Sequence, residues 1–156
     1  MVRVLFVCLG NICRSPMAEA VFRHKVNEAG LGEKIEVDSA GTGDWHVGNP
    51  PHEGTQQILT KEKISFKGMT ARQVQSLDFE DFDYIIAMDE QNIQDLHQIK
   101  RGNPTSFVDR LLSFVSNHEE EDVPDPYFTG NFEHVFQLVE EGCEQLLQFI
   151  REREQL

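Results

Sequence analysis

The sequence predicts an α/β fold, a three-layer sandwich around a short, mainly parallel sheet of four strands. Three features carry that expectation. An apolar, β-branched run opens the chain, a strong helix-start signal follows after a short loop, and a second strand-like run comes next. An opening of the form β–loop–α–β closes right-handed and builds a parallel sheet. Further on, a second fully apolar run precedes another helical pattern, and a long amphipathic helix ends the sequence.

Arg3 to Val7 reads as a strand buried on both faces, because polar and apolar residues do not alternate along it. Ser15 is expected to cap the first helix, with Pro16 at the first helical position. Met17, Val21 and Phe22 give that helix an apolar face, and Gly30 marks its end near Leu31. Ile35 to Ser39 forms the second strand. Ala40 to Gly54, rich in Gly and Pro, reads as a long surface loop, and Thr55 to Lys63 as a short helix. Tyr84 to Met88 is the clearest third strand, followed by a helix from about Glu90 to His97. Thr105 to Val108 is a weaker fourth. The acidic run Glu119 to Asp122 reads as a solvated loop, continued by the turn-like Pro124-Asp125-Pro126. The last helix spans about Phe132 to Arg153, with Val135, Leu138, Val139, Leu146, Phe149 and Ile150 available to the core and Cys143 as a structural thiol.

With 156 residues, the chain fits one domain on the usual scale of about 100–200 residues. It can bury a core without disulfide or metal staples. No internal repeat, low-complexity stretch or boundary divides it, so residues 1–156 are expected to form one domain. The net charge of −13 disfavours nucleic acid and anionic membrane surfaces, which would repel the chain at long range. No apolar run reaches the length of a membrane span, and Met1 to Cys8 reads as a strand rather than a signal peptide. Three cysteines, two of them close together, suit a reducing cytoplasm with a working thiol better than a disulfide framework.

The most informative segment is Cys8-Leu9-Gly10-Asn11-Ile12-Cys13-Arg14-Ser15-Pro16. It lies beyond the carboxyl end of the first strand, where open α/β sheets bind ligands. It runs into a helix N-terminus, whose free N–H groups and dipole attract anions. A loop of inward-facing N–H groups makes a nest for phosphate oxygens, and Gly10 and Asn11 tolerate the left-handed backbone a nest needs. The same field favours the thiolate of Cys8, the nucleophilic form. Arg14 adds a planar fork able to hold two phosphate oxygens at once. Taken singly, a cysteine after a buried strand is a small hydrophobe and an arginine a solvated charge. Strand, Cys, five residues, Arg, Ser, Pro and helix together form a far more specific pattern.

The segment resembles the hallmark loop of the low-molecular-weight protein tyrosine phosphatases, most closely those of Gram-positive bacteria. The likeness runs on through Asp38-Ser39-Ala40-Gly41-Thr42, Asp44-Trp45-His46-Val47-Gly48, Ala71-Arg72-Gln73-Val74, Phe82-Asp83-Tyr84-Ile85 and Met88-Asp89-Glu90 to Asp125-Pro126-Tyr127. The resemblance implies that Cys8 attacks phosphorus to give a phosphocysteine, that Arg14 holds the phosphate and that Asp125 protonates the leaving phenolate. It implies a substrate site framed by Leu9, Gly10, Asn11, Ile12, Cys13 and Ser15, with Trp45 and Tyr127 as walls and Ser39 in support. It also implies a phosphotyrosine-containing protein as substrate, inorganic phosphate as product and competing ligand, and neither metal nor other cofactor. In relatives a thiol at the place of Cys13 pairs reversibly with the nucleophile, making Cys13 the expected redox partner.

Four details bear on specificity and on rival readings. Relatives that hydrolyse phosphoarginine carry Thr where this chain has Ile12, so protein arginine phosphatase is the alternative that Ile12 disfavours. An arsenate reductase on the same fold would need a late cysteine pair, and only Cys143 is there. Asp44, His46 and His52 match no common zinc spacing. Three positions depart from the family pattern: Pro51-His52-Glu53-Gly54 replaces an Asp–Arg pair, Met69 falls where a supporting His is usual, and Phe128 follows Tyr127 in place of a second tyrosine.

Overall fold

A computed structural model describes residues 1–116 and 119–156. Strand β1 (Val2–Cys8) is followed by α1 (Arg14–Glu28), β2 (Ile35–Gly41), α2 (Glu53–Lys61), α3 (Asp78–Asp81), β3 (Tyr84–Ala87), α4 (Glu90–Ile99) and β4 (Phe107–Arg110). A 3-10 turn (Leu111–Phe114), α5 (Pro126–Thr129) and the long α6 (Phe132–Glu154) complete the chain. The four strands lie in the order β2-β1-β3-β4, with each pair parallel. The α/β sandwich with a four-stranded parallel sheet is thus as the sequence predicts. Among the described residues no helix is long and apolar enough to cross a membrane.

Strand β1 is the axis of the molecule. Val4, Phe6 and Cys8 face one core, built with Met17, Val21 and Phe22 of α1 and Val135, Val139, Leu146 and Ile150 of α6. Leu5 and Val7 face the other, with Ile85 and Ala87 of β3, Phe79 and Leu96. Both faces are covered, which is why this strand reads as a continuous apolar run. Leu138 and Phe149 of the last helix only flank the core, whereas Cys143 is fully buried in it.

Several boundaries move from their expected places, each for a local reason. Helix α1 begins at Arg14 with Cys13 at its N-cap and no side-chain cap; Ser15 lies inside the first turn because its hydroxyl turns to Cys8 instead. Pro16 costs the helix nothing there, since first-turn N–H groups have no intrahelical partner. Strand β2 continues to Gly41 because its register with β1 holds as far as Cys8. Helix α2 starts at Glu53, capped by His52 Nδ1, which accepts from the Gly54 N–H. Pairing with Tyr84 sets β4 at Phe107–Arg110, later than the expected Thr105–Val108. Asp125 accepts from the Tyr127 N–H and opens the short α5, so Pro126 begins a helical turn.

The close approach of α6 to the 3-10 turn requires Gly142, where an added Cβ would come within 2.5 Å of Leu111 Cγ. Alanine in a helix gains up to about 1 kcal/mol over glycine, but overpacking costs about 1–3 kcal/mol. Gly142→Ala is therefore expected to lower stability, read as a lower denaturant midpoint at unchanged slope.

Candidate active site

The loop from Cys8 to Arg14 stands at the carboxyl edge of the sheet, held in shape by one buried side chain. Asn11 takes a left-handed backbone conformation with φ of 56°. Its Oδ1 accepts from the Arg72 N–H at 3.0 Å, which orients the amide. Its Nδ2 then donates to Ser15 Oγ at 2.7 Å and to Ser39 Oγ at 3.0 Å. Ser39 in turn donates to Glu19 Oε1 at 2.6 Å, and Glu19 pairs with Arg23. Because Asn11 donates to Ser15 Oγ, the Ser15 proton is free for Cys8 Sγ, 3.0 Å away. The Asn11 N–H reaches the same sulfur at 3.3 Å. Met69, where a supporting His is usual, packs instead against the core. Gly10 does not share the left-handed conformation expected of it; its lack of a side chain instead makes room for His46, whose Cδ2 would lie 3.0 Å from an added Cβ.

Backbone bonds fasten this loop on both sides. Thr42 and Gly43 donate to the carbonyls of Cys8 and Leu9, and the His52 N–H donates to the Ile12 carbonyl at 2.7 Å. The Thr55 hydroxyl donates to the Cys13 carbonyl. Gly41 permits the closest contact, since an added Cβ would meet the Leu9 carbonyl oxygen at 2.8 Å.

Arg14 is 2% exposed. One guanidinium nitrogen donates to Asp89 Oδ2 at 2.6 Å and to the Val123 carbonyl at 3.0 Å, and the other to Asp125 Oδ2 at 3.3 Å. Its Nε is buried without a hydrogen-bond partner among the described residues. Burial works against its charge, but Cys8, the Asp89 hydrogen bond and Asp125 outweigh it and hold the guanidinium above its ordinary pKa. Burial, with the charges of Cys8 and Asp125 adding to it, pushes the Cys13 thiol up to about 12, so Cys13 is a neutral thiol at physiological pH.

A cleft of about 250 Å³ opens over the loop, lined by Cys8, Leu9, Gly10, Ile12 and Cys13 on its floor and by Trp45, His46, Asp125, Tyr127 and Phe128 around it. The Trp45 ring folds onto Gly43, where a Cβ would fall 1.9 Å from the ring. His46 and His52 each bring a ring within about 6 Å of Tyr127. The sequence-predicted residues converge on this cleft, apart from Asn11, Ser15 and Ser39, which are bonded to one another behind it, and Arg14, which is not part of its lining.

Three contributors were not foreseen from sequence. Asp89, the Arg14 partner, follows β3 and also caps α4 by accepting from the Asn92 N–H; its place at the carboxyl end of a strand was the available signal. His46 and Phe128 adjoin predicted residues, but which neighbour of a loop residue faces a cleft is a matter of tertiary geometry.

A parallel sheet carries at its carboxyl edge a loop with a cysteine and a buried arginine, faced by a carboxylate, and comparison with known proteins gives the class, a phosphoric monoester hydrolase. The family model described as low molecular weight phosphotyrosine protein phosphatase matches residues 3–156. The low molecular weight protein-tyrosine-phosphatase YfkJ of Bacillus subtilis (strain 168) is 60% identical over all of both chains, and its crystal structure superposes with a TM-score of 0.95, covering 98% of this chain and 96% of that one. The corresponding PtpA of Staphylococcus aureus (strain MRSA252) is 50% identical over 96% of this chain and 94% of its own. The crystal structure of a Drosophila arginine phosphatase is more distant, at 38% identity and a TM-score of 0.89 over 95% of this chain and 97% of that one. The chain belongs to the low molecular weight phosphotyrosine protein phosphatase family.

Substituting Gly41 by alanine is expected to displace the loop at Leu9 while leaving the sheet folded. A misplacement approaching 1 Å costs on the order of 10²-fold in rate. Phosphatase kcat/KM with a melting temperature as control checks this.

Proposed function

We propose that the chain hydrolyses phosphotyrosine in proteins through a phosphocysteine intermediate, without a metal, and that residues 1–156 act as one phosphatase domain. The observation carrying this reading is one loop that presents a nucleophile and a buried cation together. Cys8 Sγ is met by the Ser15 hydroxyl and the Asn11 N–H, and at the end of the same loop Arg14 has a buried Nε without a partner among the described residues.

In this reading the phosphate dianion enters the cradle of N–H groups from Leu9 to Ser15 and takes the Arg14 fork, freeing Asp125 to face the ester oxygen. The Cys8 thiolate attacks phosphorus while the P–O bond to the phenol breaks, and the Asp125 carboxyl gives its proton to the departing oxygen. Positioned acids of this kind contribute about 10²–10⁴-fold. Asp125, now a carboxylate, takes a proton from water as that water attacks phosphorus. The P–S bond breaks, inorganic phosphate leaves, and the Ser15 hydroxyl and Asn11 N–H receive the thiolate again. Two displacements replace one harder one.

The flat faces of Trp45 and Tyr127, 69% and 54% exposed, suit an aromatic ester. Ile12, on the cleft floor, offers no polar partner to a phosphorylated guanidinium. The three cysteines are free and buried, which suits a reducing cytoplasm. Initial rates on matched phosphotyrosine and phosphoarginine peptides test this reading, and phosphotyrosine is expected to be strongly preferred. Cys8→Ser should abolish turnover and keep binding of phosphate analogues; a turning-over mutant refutes the nucleophile.

Cys13 serves in this reading as the redox partner of Cys8. Peroxide oxidises the Cys8 thiolate to a sulfenic acid and leaves as hydroxide, removing one of the charges that hold the Cys13 thiol neutral. The Cys13 sulfur then attacks the Cys8 sulfur, the S–S bond forms as the S–O bond breaks, and water leaves with the Cys13 proton. Peroxide-treated wild-type protein is expected to regain activity with dithiothreitol, and Cys13→Ser to regain markedly less. Equal recovery would show that Cys13 is a bystander.

A further inference from the structure

Asp125 ends a segment that begins with four consecutive carboxylates, Glu119 to Asp122. Such a run repels itself and, left alone, favours an extended, solvated course. In the structure the run is a solvated loop, but its stem is pinned from three sides. The Val123 N–H donates to the Met88 carbonyl at 2.8 Å, beyond the end of β3. Glu120 pairs with the His134 ring of α6 at 2.6 Å. The third fastening is Arg110.

Arg110 is the last residue of β4 and lies in register with Ala87 at the end of β3. One of its guanidinium nitrogens donates to Asp122 Oδ1 at 3.1 Å and lies 3.8 Å from Glu121 Oε2. Its Nε lies 3.8 Å from Glu90 Oε2. The Glu90 N–H donates to the same Asp122 oxygen at 3.1 Å, so one carboxylate joins the ends of β4 and β3 to the stem of the acid-bearing segment. Among the described residues, Arg110 is the only cation paired with Glu121 or Asp122.

We infer that Arg110 is a positioning residue for the general acid. By neutralising Asp122, Glu121 and Glu90 it holds the stem of the segment against the sheet edge, and so sets how often the Asp125 carboxyl stands over the leaving oxygen. The inference rests on Asp125 being that acid. Arg110 touches neither Cys8 nor Arg14, and the bonds of Val123 to Met88 and Arg14 remain without it. Its loss loosens the segment without dismantling the loop that holds phosphate. The Arg110 side chain is 24% exposed, so dissolved salt screens the clamp.

The test compares kcat/KM for phenyl phosphate, a poor leaving group, with that for 4-nitrophenyl phosphate, an activated one. It uses wild type, Arg110→Gln, Arg110→Lys and Asp125→Ala, with melting temperatures alongside. Asp125→Ala is the reference for loss of the acid and should slow phenyl phosphate far more. Arg110→Gln is expected to lower the ratio of phenyl to nitrophenyl rates by about 2–5-fold, the scale on which a partly exposed ion pair biases an equilibrium. Arg110→Lys should restore part of that loss. Raising salt toward 1 M should lower the wild-type ratio toward that of Arg110→Gln and move the variant's ratio less, since of the stem's pairs the variant keeps only Glu120–His134 for salt to screen. If Asp125→Ala shows its leaving-group dependence and Arg110→Gln slows both esters equally or neither, the clamp is wrong and the acid assignment stands. If Asp125→Ala shows no such dependence, the acid assignment falls and the clamp with it. Should Arg110→Gln not fold, the wild-type salt series decides alone, and an unchanged ratio overturns the inference.

Discussion

A guanidinium buried at the carboxyl edge of the sheet is the interaction on which the rest of this molecule depends. Arg14 enters from the first turn of α1 and is almost wholly shielded from water. A charge so placed is tolerated only when it is paired and hydrogen-bonded. Its partners come from separate parts of the chain: Asp89 after β3, the Val123 carbonyl on the acid-bearing segment, and Asp125 itself. Satisfying one buried charge therefore brings the Cys8 loop, the end of the sheet and the Asp125 carboxylate together. The Arg14 Nε keeps no hydrogen-bond partner among the described residues.

A second constraint gives the loop its direction. The Asn11 amide is oriented by the Arg72 N–H, and that orientation decides which way each following proton points. Ser15 accepts from Asn11 and so has its own proton for the sulfur; Ser39 accepts from Asn11 and passes its proton to Glu19. The Arg72 side chain is fixed separately, by Asp38 and the buried Asp78. A network in which every member has a partner holds one arrangement, so the Cys8 sulfur is kept in one setting.

Much of the fold was legible because its signals are local. The double-sided burial of β1 shows as an unbroken apolar run, and α6 shows its buried stripe at Val135, Val139, Leu146 and Ile150. The short elements escaped. Helices α3 and α5 and the 3-10 turn each span four residues, too few for a periodic pattern to develop. The start of α1 was misread because Ser15 carries a capping signal that is used on Cys8 instead. The acidic run is a solvated loop, as its composition indicates, but its pairing with Arg110 was not legible, because Arg110 lies twelve residues earlier, on a strand whose register had to be known first.

Asp125, Trp45 and Tyr127 could be named only through the resemblance to the family. Cys8 and Arg14 could be named from sequence because the chemistry of an anion loop demands particular residue types at a particular spacing from a strand and a helix. That spacing belongs to the backbone and is written in chain order. Tertiary structure alone decided that Asp89 pairs with Arg14, that the Arg72 backbone orients Asn11, that His46 packs against Gly10, and that Arg110 grips the stem of the acid-bearing segment. Each of these joins residues distant along the chain. Their attraction is set by separation in space and by exclusion of water, and both exist only once the sheet has brought its strand ends side by side.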